Sequence, residues 1–488
     1  MMHLVRASAS IVILSLAMVA CGPSGDSYDL VLKGGRVLDP ESGFFQTANI
    51  GIRGGTIAEI SNQDLRGERT IDATGLIVAP GFIDMHEHGQ TDEAYRLMVR
   101  DGVTTALELE VGTADIDRWY GEREGGQRIN YGASVGHIPA RMEVFHDPGT
   151  GLLPVGIGGS GVATPDQLDE IEAILRRGLD RGALAVGFGS AYTPGATMQE
   201  IERMFAVAAE YGASSHIHIR NGVAGLDSTI AAAHRVGAPL HIVHANSSAG
   251  PDIVAFLARI QAAQDSGQDV TTETYPYGAG MTEITSALFD DWKSWSDERI
   301  HQVQLVATGE RLTRETFGPA REAGGTVIIF DRTEEMTRAA VASPLTAIAS
   351  DGFIQNGKGH PRTSGSYSKV LGRYVREEGL LDLPEAVAKM TIMPARRLQS
   401  RAPAFAHKGR VQKGMDADLT LFDPDKVIDR STYEDPTAPA AGIPYVIVGG
   451  KLVVDGGELT DARPGVGIRA PVRETESEGP GATDSAEE

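Results

Sequence analysis

The chain has 488 residues, 41% hydrophobic and 23% charged, so it can bury a large core and is too long for one minimal domain. Its formal net charge of -22, with no Lys/Arg cluster, argues against nucleic acid, because phosphate binding needs a basic surface. One cysteine, Cys21, leaves the rest of the chain with neither a disulfide nor a thiolate metal ligand.

In chain order, MMHLVRASASIVILSLAMVACGPSG has a weakly basic start and an apolar stretch from Ile11 to Ala20, too short to span a bilayer comfortably. It reads as a signal peptide over residues 1–21. The segment MVAC resembles the lipobox of bacterial lipoproteins. That implies lipidation at Cys21 and an exported chain, periplasmic or at the cell surface, tethered to a bacterial membrane by its anchor alone. Residues 28–80 alternate short β-type runs with turn signals (YDLVLKGGRVLD, ANIGIRGGTIAEI, RTIDATGLIVAPG), and the texture returns over 401–470 in DADLTLFDP and YVIVGGKLVVDGGEL. Both terminal segments are expected to build one small β-sandwich domain. Residues 471–488 are poor in apolar side chains and are expected to be a disordered acidic tail.

Residues 81–400 carry eight apolar runs: FIDMHEH, VTTALELE, NYGASVGH, ALAVGF, SSHIHIR, PLHIVHAN, DVTTETYPY and LTAIASDG. Between them lie helical patterns such as QLDEIEAILRRGLDRG, with apolar residues at three- and four-residue spacing and Gly at the stop. Eight such repeats predict an α/β fold, a (β/α)8 TIM-type barrel, in which function sits at the C-terminal strand ends. A doubly wound open sheet is the structural alternative, but it would bring a glycine-rich phosphate loop after its first strand, and none is present.

Two histidines at i and i+2 of a strand share a face about 6.5 Å apart, so His86 and His88 can converge on one cation. Alone this is a weak signal, and His216/His218 repeats it. Placement discriminates: His86, His88, Glu108, Glu110, His218, His244 and Asp351 all fall at or beside predicted strand ends 1, 2, 5, 6 and 8. Scattered core histidines have no reason to do so, and His216 and His241 are read as such core neighbours.

The order H-x-H, single His on strands 5 and 6, and Asp on strand 8 resembles the amidohydrolase superfamily. PGFIDMHEH, SVGH, AYTPGA, SHIHIRN, ETYPY, SDG, GHPR and DADLTLFDPDKVIDRSTYEDP resemble its D-aminoacylase (N-acyl-D-amino-acid deacylase) branch, over about residues 28–468. The resemblance implies one or two divalent metal ions, most simply Zn2+. His86, His88 and Asp351 would hold one, His218 and His244 the second, and Asp351 would also shuttle the proton. It further implies a small-molecule amide substrate, with Arg362 and either Tyr277 or Tyr275 on its carboxylate; Tyr192 is a candidate to line the pocket or else a packing aromatic, and His137 to polarise a carbonyl or else a hydrogen-bonded core residue.

The sequence departs from the resemblance at the bridge between the metals. No lysine occurs between Lys33 and Lys293, which excludes a carbamylated lysine from strands 1 to 6, and no cysteine lies on strand 2. LELEVG offers two carboxylates there; Glu110, nearer the strand end, is the expected bridge and Glu108 the fallback. An oxygen bridge in place of sulfur would also admit Mn2+. Relatives often carry a lysine two residues after the strand-6 histidine, where this chain has Asn246. The expected reaction is hydrolysis of a linear amide, as in an N-acyl-D-amino acid or peptide-like amide. Alternatives are a cyclic-amide hydrolase of the dihydropyrimidinase or dihydroorotase kind, a dipeptidase, or a non-catalytic lipid-anchored binding protein. Residues 280–302 are the expected lid, and oligomeric state is left open.

Overall fold

The computed structural model describes residues 27–473; the expected signal peptide with Cys21, and the expected tail from residue 474 on, lie outside the described residues. Eight parallel strands form the barrel: β1 (Phe82–Asp84), β2 (Val103–Thr113), β3 (Asn130–Gly136), β4 (Ala185–Gly189), β5 (Ser214–His218), β6 (Leu240–Ile242), β7 (Val270–Thr274) and β8 (Thr346–Ile348). They pair in sequence order from β1 to β8. The ring closes at its mouth, where Glu87 bridges Gly352, the Asp351 N–H donates to the His86 carbonyl at 2.7 Å and the His88 N–H to the Gly352 carbonyl at 2.8 Å. Asp84 adds a second staple by accepting the N–H groups of both His86 and Ser350 at 3.1 Å.

Helices cover the outside for the reason their sequences suggest. In Pro165–Asp180, Thr164 caps the first turn in a reciprocal box with Gln167, Pro165 supplies a ready-made first φ, and Ile171, Ile174, Leu175 and Leu179 bury one stripe. Each such aliphatic side chain contributes about 1.5–3 kcal/mol when fully removed from water.

The terminal segments share one continuous nine-stranded, mostly antiparallel sheet. Ile77–Pro80 from the N-terminal part pairs antiparallel with Leu419–Phe422 from the C-terminal part, Leu421 lying opposite Val78. Their core is separate from that of the barrel: Leu30, Leu32, Val37, Ile50, Ile52, Leu419 and Ile447 pack together. Asp418 ties sheet to barrel, accepting from Lys408 Nζ at 2.6 Å and from Asn130 Nδ2 on β3 at 2.9 Å. Among the described residues no helix is long and apolar enough to cross a membrane.

Between β7 and β8 the chain builds a further unit. Gly280–Glu283, Val303–Leu305 and Thr326–Ile329 form an antiparallel three-stranded sheet over a core of Ile284, Phe289, Trp295, Ile300, Phe317 and Val327. The expected lid is the first half of this insertion, which stands over the barrel mouth.

Candidate metal centre

The strand ends aim their side chains through local backbone features. After Glu108 the register between β2 and β3 slips, and Gly112 takes φ +68. The bulge folds the Val111 and Gly112 N–H groups back onto Glu108 Oε1, at 3.1 and 3.3 Å, while Glu110 stays directed into the barrel mouth. Gly187 on β4 makes room: a Cβ there would stand 2.3 Å from the Glu110 carbonyl oxygen. His244 (φ 34) and Asp351 (φ 52) are held in the left-handed region, a cost of about 1–3 kcal/mol for non-glycine residues that surrounding structure must offset.

Two donor groups result, and they share one residue. His86, His88, Glu110 and Asp351 form the first; Glu110, His218 and His244 the second; within each group the ligand atoms lie within 4.8 Å of one another. Glu110 Oε2 is 2.5 Å from His86 Nε2 and 3.5 Å from His88 Nε2, whereas its Oε1 is 3.0 Å from His218 Nδ1. Asp351 Oδ1 stands 3.4 Å from both His86 Nε2 and His88 Nε2. His244 Nε2 lies 3.1 Å from His218 Nδ1.

A second layer of carboxylates fixes the imidazoles. His86 Nδ1–H donates to Glu273 Oε1 at 2.5 Å, and His88 Nδ1–H to Glu108 Oε2 at 2.8 Å. With Nδ1 protonated, each ring points its Nε2 lone pair inward, and the two Nε2 atoms face each other at 3.1 Å. Two lone pairs at that distance repel unless positive charge lies between them. Glu108, Glu110, Glu273 and Asp351 bring four carboxylates to the imidazoles, and of these only Asp351 is ion-paired to a guanidinium, that of Arg362. Burial alone would lower the proton affinity of His86, but Asp351, Glu110 and Glu273 outweigh it and drive the ring well above the ordinary imidazole range. Burial would likewise raise Glu110, yet His86 and His218 hold it well below the usual carboxylate range, and Glu273 is pulled to about 2 against its own desolvation. A field that binds protons this strongly also binds cations. Imidazole nitrogen and carboxylate oxygen are the donor set of zinc and similar divalent ions, so the residues fit the metal that the sequence implies.

A cavity of about 1210 Å³ opens over this centre, lined on its polar side by Tyr192, Tyr275, Arg332, Asp351 and Arg362 and on its apolar side by Trp119, Leu153, Leu288 and Trp295. Arg362 Nη2 donates to Asp351 Oδ1 at 2.9 Å, and His360 Nδ1 accepts the Arg362 N–H at 3.1 Å. The Arg362 guanidinium lies over Tyr275, 4.5 Å from the ring centre, and the buried Tyr275 hydroxyl has no hydrogen-bond partner. Tyr192 packs edge-on against His218 at 4.7 Å.

Two expected residues lie elsewhere. His137 sits in a buried cluster outside the cavity lining, its Nε2 2.8 Å from Glu200 Oε1, which also pairs with Arg141. Tyr277 follows Pro276 past the end of β7, and its hydroxyl donates to Asp429 at 3.2 Å, away from the cavity wall. Asn246 is buried and donates to the Tyr275 carbonyl at 3.0 Å. Sequence reasoning missed Glu273 and Arg332. Glu273 also accepts from His241 Nε2 at 3.2 Å, so this core neighbour supports the site through it. The signal was a lone carboxylate inside an otherwise uncharged strand, VTTET.

Comparison with known proteins leads to the same chemistry. The amidohydrolase family description matches residues 69–132 and 149–454. N-acyl-D-glutamate deacylase of Alcaligenes xylosoxydans xylosoxydans is 32% identical over 478 residues, 88% of this chain and 94% of that one. The crystal structure of N-acyl-D-glutamate deacylase from Bordetella bronchiseptica, complexed with zinc and a phosphonate inhibitor that mimics the tetrahedral intermediate, is similar with TM-score 0.78 at 28% identity, covering 91% of this chain and all of that one, 100%. A D-aminoacylase structure concerned with a binuclear metal centre gives TM-score 0.73 at 27% identity, covering 91% and 100%.

Proposed function

The chain belongs to the amidohydrolase family, in its D-aminoacylase branch of metal-dependent carbon–nitrogen hydrolases, and from that premise we propose that it cleaves the linear amide of an N-acyl-D-amino acid or a peptide-like amide. The observation that carries this reading is the sharing of Glu110, one oxygen on the His86/His88 side and the other on His218. His86, His88 and Asp351 would hold one divalent cation and His218 and His244 a second, with Glu110 placed to serve both. Zinc suits the imidazoles, and the all-oxygen bridge also accommodates manganese. Bound there, the cation supplies Lewis acidity toward the amide carbonyl and acidifies water.

The chain's own residues do the rest. Asp351 accepts a proton from the attacking water and delivers it to the departing amine nitrogen. Arg362 fixes the direction of that carboxylate through its 2.9 Å contact. With Nε and Nη1 of Arg362 and the Tyr275 hydroxyl otherwise unpartnered, this corner of the cavity can also hold the substrate's anionic end. Glu273 and Glu108 hold their imidazoles in the tautomer that presents Nε2. Tyr192 and the insertion wall the cavity and limit water. Lipidation at Cys21 would place this chemistry on the outer side of a bacterial membrane. A Cys21→Ser chain that stays in the membrane fraction would refute that anchor.

The test is hydrolysis of a panel of N-acyl-D- and N-acyl-L-amino acids, dipeptides and cyclic ureides by the metal-loaded protein. The D-series should be turned over fastest. Turnover confined to the cyclic ureides would replace this reading.

A further inference from the structure

We propose that Arg332 is a substrate-binding and specificity-determining residue, supplying the positive charge that seats the α-carboxylate of the substrate together with Arg362; this rests on the N-acyl-amino-acid reading above. Arg332 follows the last strand of the insertion and reaches back to the barrel mouth, where its side chain lines the cavity and is only 7% exposed. Its Nη2 donates to Ser247 Oγ at 2.6 Å, in the turn that follows His244 and one residue past Asn246.

Three observations separate this from a structural arginine. First, Nε and Nη1 are buried and have no hydrogen-bond acceptor; Nη1 has only its chain neighbour Asp331 within ion-pair reach, at 3.1 Å and outside hydrogen-bond geometry. A buried guanidinium with idle donors is costly unless an anion completes it. Second, Arg332 and Arg362 both stand against Tyr275, with their guanidinium carbons 6.0 and 4.5 Å from its ring centre, and in each Nε and Nη1 have no hydrogen-bond partner. Two guanidinium groups and a phenol lining one cavity are the chemistry that recognises a carboxylate. Third, room has been made for it. Gly280 has no positive φ to require glycine, yet a Cβ there would stand 2.9 Å from Arg332 Nη1 and 3.1 Å from Nη2. A Cβ at this position would press on the guanidinium in its present place.

The test uses the metal-loaded protein with N-acetyl-D-methionine, whose only charge is the α-carboxylate, and its neutral carboxamide. Kinetics and calorimetric binding are measured for the wild type, Arg332→Gln, Arg332→Lys and Gly280→Ala. The wild type should favour the acid over the carboxamide. In Arg332→Gln that preference should fall on the order of 30-fold or more, chiefly through KM, with metal content and melting temperature retained. Arg332→Lys should recover part of it, and Gly280→Ala should lose part of it. An unchanged preference in Arg332→Gln, or equal losses on both compounds, would overturn the proposal. A wild type that binds the acid without turning it over would overturn the hydrolase reading while leaving the Arg332 comparison to be read from binding. A wild type that does neither would overturn both.

Discussion

Replacing Glu110 by Gln keeps the shape of the side chain and removes its charge. In the native protein its two oxygens reach 2.5 Å from His86 Nε2 and 3.0 Å from His218 Nδ1, so a single substitution acts on both donor groups. Unit charges 4 Å apart at an effective dielectric near 20 attract by about 4 kcal/mol, and a divalent ion feels more, less the cost of desolvation. The amide retains one neutral acceptor and turns an NH2 toward an imidazole. Affinity for at least one cation should therefore fall about 100-fold or more, roughly 2.8 kcal/mol. Glu108→Gln is the control, because Glu108 touches only His88 Nδ1 and the backbone N–H groups of the bulge. Loss of such an outer partner costs about 10–100-fold in metal affinity. The assay is metal content by mass spectrometry after dialysis against buffered free zinc, read beside kcat. Glu110→Gln should fall below two equivalents at a free zinc level that still saturates the wild type. A Glu110→Gln protein with a full complement, beside a depleted Glu108→Gln, would refute the shared-ligand reasoning.

Asp351→Asn should lower kcat by about 10²–10⁴-fold with metal still bound, and pre-steady-state kinetics that show unchanged turnover would remove Asp351 from proton transfer. Glu273→Gln should weaken metal binding about 10–100-fold in competition with a chelator, because it releases His86 Nδ1 from its 2.5 Å contact; unchanged affinity would leave Glu273 a purely structural group. Chelation should abolish activity and lower the melting temperature, since a cation at a thousand times its Kd stabilises the folded state by about 4 kcal/mol, and added zinc should restore both. His137→Asn should leave the pH dependence of kcat unchanged, because the ring is bound to Glu200 away from the cavity, though it should cost stability.

Much of the fold is legible in the chain because each barrel strand is a short apolar run closed by a polar residue at the working end. All eight runs quoted from the sequence are strands, and the side chains that close runs 1, 2, 5, 6 and 8 meet in one place. What escapes the sequence has local causes. The insertion between β7 and β8 buries Phe289, Trp295 and Phe317 in a core of its own, so its periodicity matches neither neighbour. In ETYPY, strand alternation would put Tyr275 and Tyr277 on one face, but Pro276 breaks the strand and sends Tyr277 to Asp429. His137 sits at the start of a helix, and the partner that turns it inward, Glu200, lies 63 residues away. Arg332 becomes visible only when Gly280 and Ser247 are brought to it in three dimensions.

The central claim is that two cations meet on one carboxylate at the mouth of the barrel. Anomalous diffraction at the zinc edge from crystals of the zinc-loaded protein tests it most directly. The account predicts two peaks flanking Glu110, one against His86, His88 and Asp351 and the other against His218 and His244. A map without density between these side chains, or with peaks only elsewhere, would contradict it.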